Sequence, residues 1–277
     1  MLALKLAFKN LLGAGLRTWL NVSILSFAFV LIIFYNGLLD GWNRQGIKDT
    51  KEWEIGEGQF WHPEYDELDP FTIQDAHAPL SEKIQKLVNE NKLTPILISE
   101  ATAYPQGRMR SVVLKGIDPK QTISKIPSAG LETTEKGTFA IIGKRMAEAT
   151  KLKEGDNMLV RWRDKNGTYD AREIQIAAIF KCNVPPVDNG QIYVSLDVLQ
   201  EMTNMPNEAT LLVTSKDFEG GELENWAFKD LDFLLKDFHA LISAKKGGAS
   251  IMQIVLLVLA LLAIFDTQVL SIFRRQK

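Results

Sequence analysis

The sequence predicts an α+β domain carried outside a membrane between two transmembrane α-helices. Three observations predict it. Two long apolar stretches without charge lie near the two ends, basic residues sit on their outer flanks, and the polar middle alternates helical and strand periodicities. The elements follow in order.

Residues 1–17 place Leu4, Ala7, Phe8, Leu11 and Leu12 on one helical face, with Lys5 and Lys9 elsewhere. That is the pattern of an amphipathic helix on the cytoplasmic surface. The first span is placed at 18–39. Trp19 to Leu39 holds no charge, and at about 1.5 Å per residue it crosses a hydrocarbon core of about 30 Å. No small-x-small cleavage site follows it directly, so it reads as a retained anchor. The second span is placed at 247–273. It follows Lys245-Lys246, runs uncharged from Ala249 to Phe265, meets Asp266 and continues to Phe273. A carboxyl inside a span is costly and faces a partner or water, so Asp266 is read as an intramembrane polar site.

Arg17 and Trp19 at the first span, and Arg274 and Arg275 after the second, are read as membrane-interface anchors. Lys5, Lys9 and Arg17, with Arg274, Arg275 and Lys277, place both termini in the cytoplasm by the positive-inside rule. Residues 274–277 are then a short cytoplasmic end. The middle is exported as a core domain over 40–221 and a stalk helix over 222–246.

Within the middle, Glu54 to Trp61 reads as a short strand and Pro79 to Asn91 as a helix. Thr94–Ser99, Arg110–Ile117 and Phe139–Ile142 read as strands, and Lys144–Lys151 as a helix. The clearest local signal is a hairpin. Met158–Arg163 and Tyr169–Phe180 flank Asp164-Lys165-Asn166-Gly167, and Asn-Gly predicts positive φ at both central residues. Ile192–Val194 reads as a strand, Leu196–Met202 as a helix and Thr210–Thr214 as a strand. Trp226, Leu231, Leu234, Leu235, Phe238, Leu241 and Ile242 predict one amphipathic helix over Glu222–Ser243, interrupted near Gly247-Gly248.

The net charge of −2 gives no footing to a nucleic-acid partner. One cysteine, Cys182, leaves the exported domain to hold by its core alone. His62, His77 and His239 have no ligand spacing to it. Gly137 to Arg145 (GTFAIIGKR) superficially suggests a phosphate loop. One residue too many separates its glycines, and Arg145 stands where a hydroxyl must reach magnesium, so it reads as strand, turn and helix. The acidic run Glu64, Asp66, Glu67, Asp69 lacks ordered calcium-loop spacing and reads as a solvated loop. No catalytic set, cofactor site or metal cluster emerges, so the chain is expected not to be an enzyme.

Several segments resemble one family in order. LALKLAFKNLLGAGLRTWL resembles the amphipathic entry and first span of FtsX-like permeases. WEIGEGQFWHPEY looks like the first strand of their exported MacB-like core domain. VVLKGIDP, AIIGKRMAEATKLKEGDNMLV, EIQIAAIFK and QIYVSLDVLQEMTN resemble its later strands and helices, and IFDTQVLSIFRRQK the inner end of the second span. Similar family members include the lipoprotein-releasing LolC/LolE permeases and the MacB efflux permease.

The resemblance implies a permease subunit of an ABC transporter in the bacterial inner membrane. It would couple ATP hydrolysis by a partner ATPase to motion of a periplasmic domain, releasing or exporting lipoprotein. Its partners would be that ATPase, a second permease subunit, the cargo and the lipid bilayer, and ATP would be bound by the partner. The family pattern continues with an E-I-G-x-x-x-A-x-G segment and two more spans, whereas Lys277 ends this sequence. That departure leads to the expectation of a fragment, with a membrane-anchored periplasmic binding or scaffold module as the alternative.

Overall fold

The computed structural model describes Lys5, Lys9, 15–132 and 137–275. The amphipathic helix expected over 1–17 lies almost wholly outside the described residues. So do the side chains of Arg17, Asp266, Arg274 and Arg275. The chain divides into two compact units, Gly46–Lys236 and the pair Met1–Gln45 with Asp237–Lys277.

The first element is helix α1 (Gly15–Thr50), which passes into a π-helical turn at Lys51–Ile55. The elements of the larger unit follow: β1 (Gln59–Trp61), a 3-10 turn (Pro70–Gln74), β2 (Ala78–Pro79), α2 (Glu82–Asn89), β3 (Leu93–Tyr104) and β4 (Arg110–Ile117). Then come β5 (Phe139–Gly143), α3 (Lys144–Thr150), β6 (Asn157–Arg163), β7 (Tyr169–Phe180), α4 (Pro185–Asn189), β8 (Gln191–Ser195) and α5 (Leu196–Thr203). The series ends with β9 (Glu208–Ala209), β10 (Leu211–Thr214), β11 (Ala227–Lys229), α6 (Leu231–Leu234) and the long helix α7 (Lys236–Arg275).

The main sheet has the order β11-β1-β10-β3-β4-β8-β5-β7-β6, and β6 also pairs with β3. That second pairing closes β3, β4, β8, β5, β7 and β6 into a ring, which leaves those strands no open edge. Strand β3 is long enough to serve twice. Its Leu93–Ile96 end carries β10, and its Ala101–Tyr104 end carries β6. Strands β10, β1 and β11 therefore extend the sheet sideways from the ring.

Alternation explains the packing. On β6, Met158, Val160 and Trp162 are buried while Asn157, Leu159, Arg161 and Arg163 are exposed. The inward set joins Leu97, Leu114, Ile142 and Ile174 in the ring's core, under Met146 of α3 and Leu199 of α5. A second cluster on the outer face gathers Trp61, Ile98, Ile117, Phe180 and Tyr193. A third holds Phe60, Ile84, Leu212, Leu223 and Trp226.

The sequence reading needs correction in four places. The strand expected over Glu54–Trp61 is confined to Gln59–Trp61, because α1 runs on to Thr50 and its last turn takes Lys51–Ile55. The stalk helix expected from Glu222 begins at Lys236. Leu223 and Trp226 are buried in the third cluster, and Ala227–Lys229 pairs with Gln59–Trp61, so this stretch belongs to the domain. The helix does not break at Gly247-Gly248. Glycine costs about 1 kcal/mol per residue in a helix, and long helical arms on both sides absorb that. Finally, the hairpin tip has positive φ only at Gly167 (84°), not at Asn166. Gly167 N donates to Asp164 O at 3.0 Å and Asp164 N to Thr168 O at 2.9 Å, which makes a longer loop than the two-residue turn.

In the smaller unit, α1 and α7 are long and apolar enough to cross a membrane, by length and composition. Phe27, Phe29, Phe34, Ile251 and Leu261 are among their exposed side chains.

Candidate functional site

In the larger unit a polar constellation lies where the π turn after α1 meets the sheet. The π turn is closed by Gly56 N donating to Lys51 O at 2.9 Å. Gly56 then takes φ 63°, and a Cβ there would lie 2.5 Å from Val213 Cγ1 and 2.6 Å from Thr214 O. Only glycine fits that exit. π-Helical turns inside or at the end of α-helices recur at functional positions.

The turn projects its side chains in several directions, and Lys51, Glu52, Trp53 and Glu54 each find a partner. Glu54 Oε1 accepts from Lys115 Nζ on β4 at 3.1 Å and from Gln191 Nε2 on β8 at 2.8 Å. Tyr193 OH donates to Gln191 Oε1, extending the network along β8. Glu52 pairs with Lys125 at 2.7 Å, and its carbonyl accepts from Lys125 N at 2.7 Å. Trp53 stacks on Phe180 of β7, with centroids 5.8 Å apart. Lys51 and Glu57 pair at 2.6 Å across the turn.

Electrostatics favour this arrangement. Burial opposes ionisation of Glu54, which lies beyond the apolar stretch of α1. The Lys115 ammonium and the Gln191 amide outweigh that penalty and hold the carboxyl below its ordinary range. Burial, with the nearby Glu54 charge, pushes the Tyr193 phenol well above its usual value. Tyr193 is therefore a neutral donor at physiological pH.

The chain's exit from the domain meets the same strand. Gln59 Nε2 of β1 donates to Glu54 O at 3.2 Å, and Trp61 Nε1 donates to Gln59 Oε1 at 2.6 Å. On its other side Trp61 meets Phe233 of α6 edge to face at 5.7 Å. The Lys229 ammonium lies 4.4 Å from the Phe233 ring centroid and 5.6 Å from that of Trp61. Asp230 caps α6 by accepting from Phe233 N at 2.8 Å. The π turn and α6 thus both meet β1, through Gln59 and Trp61.

Two of the clefts on the same unit are large enough to hold a small ligand. One, of about 650 Å³, is lined by Phe60, Phe218 and Phe228, with Glu57, Lys216 and Glu222 also on its wall. The other, of about 340 Å³, runs over the outer face of the ring between Phe71, Glu100, Arg161 and Tyr169.

The residues singled out from sequence are dispersed. Trp19 is exposed on α1. Arg17, Asp266, Arg274 and Arg275 fall within the two long helices, with side chains outside the described residues. The GTFAIIGKR segment is strand β5 and helix α3. Asp188 fills the place a phosphate would take, accepting from Arg145 N at 3.2 Å and pairing with Arg145 Nε at 3.2 Å. In the acidic loop, Asp66 and Asp69 accept from Leu68 N and Phe71 N and so cap their own turns. His77 binds Glu208. Among the described residues no group of three or more His, Cys, Asp or Glu side chains is placed to hold a metal ion. Sequence reading missed Glu54, Lys115, Gln191 and Tyr193. The one signal was the charge of Lys115 inside the apolar strand Val112–Ile117.

Known structures resemble this fold at low identity. The extracellular domain of the noncanonic ABC-type transporter YknZ from Gram-positive bacteria is 15% identical, over 66% of this chain and 94% of that one, with a TM-score of 0.34. The periplasmic region of MacB from Actinobacillus actinomycetemcomitans is 11% identical, over 67% of this chain and 94% of that one, with a TM-score of 0.40. No family model matches the sequence, and no curated protein matches it.

Proposed function

We propose that this chain is a permease subunit of an ABC transporter in the bacterial inner membrane, with a non-catalytic domain on the outer side. One observation carries the reading. A compact α+β domain is entered and left by helices apolar enough to cross a membrane, and both junctions are keyed into one strand, β1. A domain built to be moved by its membrane helices needs such a joint. A domain merely tethered by a flexible linker needs none.

The ordered sequence resemblance to FtsX-like permeases supports the same reading. In it the partner ATPase binds ATP, and a second permease subunit completes the membrane part. Both termini are cytoplasmic, with 18–39 and 247–273 as the membrane-crossing stretches. The cargo is lipoprotein. We assign its acyl chain to the cleft of about 650 Å³ beside Phe218 and Phe228.

The test is purification of the tagged chain from its native membranes in a mild detergent. Co-isolation of an ABC ATPase in stoichiometric amount is the expected result. A chain that purifies with no ATPase, from membranes that contain one, overturns the transporter reading in favour of an anchored binding module.

A further inference from the structure

We propose that Asn36 and Gln253 form an amide latch that fixes the register of α1 against α7, with Asp40 and Lys246 at its outer rim. The inference rests on reading both helices as membrane spans. Gln253 Nε2 donates to Asn36 Oδ1 at 2.9 Å. Four residues further along α1, Asp40 pairs with Lys246 at 2.9 Å. Advancing from 36 to 40 on α1 is matched by retreating from 253 to 246 on α7, so the helices run antiparallel.

The two pairs differ in weight. Asp40 and Lys246 are half exposed, with side-chain exposures of 55% and 52%. An ion pair of that kind contributes little. Asn36 and Gln253 lie in the uncharged stretches 19–39 and 249–265. In hydrocarbon an amide without a partner is costly, so two facing amides select the register in which they meet. Apolar contact selects register only weakly, because lipid tails are as apolar as leucine.

Close glycine packing does not supply the register instead. Gly37, Gly41, Gly247 and Gly248 all stand near the contact, yet a Cβ at any of them would meet nothing within 4 Å. Glycine contacts thus do not set the register, while Ala249 and Ala260, buried at 4% exposure on the same face of α7 as Gln253, let the helices approach. The amide pair supplies a polar register mark, and it makes the two spans slide together along the membrane normal instead of past each other.

The test uses the full chain in its membranes with Cys182→Ser as background. The hydrogen bond spans two side chains, so introduced thiols stand too far apart for a direct disulfide, and a short bifunctional thiol reagent is used. The pair Asn36→Cys/Gln253→Cys is expected to cross-link within one chain. Phe34→Cys/Ile254→Cys, which replaces side chains 65% and 62% exposed, is the off-face control and is expected to lag far behind. Equal rates for the two pairs would overturn the proposed contact.

Register is then read from Asp40→Cys/Lys246→Cys in chains carrying Asn36→Leu, Gln253→Leu or both. Each single change leaves one amide unpaired and should lower the cross-linking yield about three-fold. The double change should lower it less than either single one. Unchanged yields in all three would show that register is set elsewhere. An alkaline carbonate wash separates the underlying reading from the latch, since release of the chain from the membrane would sink the span assignment itself.

Discussion

Glu54 and Lys115 meet at 3.1 Å and so join the last turn of the first long helix to the second strand of the closed ring. Both side chains are largely buried, at 22% and 13% exposure. Burying two opposite charges costs nearly as much as their attraction returns, so such a pair is weak evidence for stability and better evidence for position. Gln191 and Tyr193 complete the network, and any axial or rotary displacement of the π turn must break it.

Glu54→Gln should therefore destabilise the full chain in detergent by about 1–3 kcal/mol, because the Lys115 ammonium loses its counter-charge. Glu54→Leu/Lys115→Met should cost less than either single change. The pH dependence has a definite sign. The folded carboxyl is held below its ordinary range, so its contribution is complete above the unfolded value and fades as pH falls through the lowered one. Wild type and Glu54→Gln should differ most near neutrality and converge in acid. Thermal melts over a pH series test this, and parallel curves down to the lowest pH would show that Glu54 adds no linkage.

Gly143 and Asp188 make a second prediction. Gly143 has an ordinary φ of −71°, so conformational freedom is not the reason for glycine. A Cβ there would lie 2.5 Å from the Asp188 Cα, and backbone cannot swing aside as a side-chain end can. Gly143→Ala should cost about 1–3 kcal/mol by overpacking. Gly155→Ala would also be strained, but through its φ of 88° with open space around it. A melting temperature for Gly143→Ala equal to wild type would refute the close approach.

How much of this was legible in sequence depends on the range of the interactions. Strand β4 was read with its observed ends, and the β6–β7 hairpin to within a residue, because period-two burial and the Asn-Gly tip are local signals. The stretch 222–229 misled. Trp226 and Leu234 sit eight residues apart, a spacing that suits a helix, yet Gly220 and Gly221 at positive φ turn the chain so that Trp226 enters a core and Phe228 pairs with Phe60. Ring closure by β3–β6 pairing has no local mark. The joint is less legible still. Glu54 draws its partners from 61 and 137 residues away, and no spacing rule connects such positions.

Cys182 should be inert in the folded chain. Burial pushes its thiol pKa up, and the negative charges of Asp188, Glu54 and Asp49 reinforce this against the N–H donated by Val184. The thiolate is the reactive species, so both access and ionisation are suppressed. Alkylation of the native chain at mildly alkaline pH should be far slower than of the denatured chain, measured by mass of the intact protein. Equal rates would place Cys182 at the surface.

The hairpin tip offers a direct test of the side on which the proposed topology places the domain. Asn166 is exposed, and its backbone N donates to Asp164 Oδ1 at 2.9 Å. Its φ is not positive, so a cysteine fits the same backbone without strain. Asn166→Cys, combined with Cys182→Ser, should react with a membrane-impermeant thiol reagent added to intact spheroplasts. With 18–39 and 247–273 as spans and both termini inside, no other placement of the tip is consistent with the positive-inside reading. Labelling that appears only after lysis would put the domain in the cytoplasm and reverse the orientation of both spans. It would also remove the acyl-chain role proposed for the Phe218–Phe228 cleft, because that cleft would face away from any exported lipoprotein.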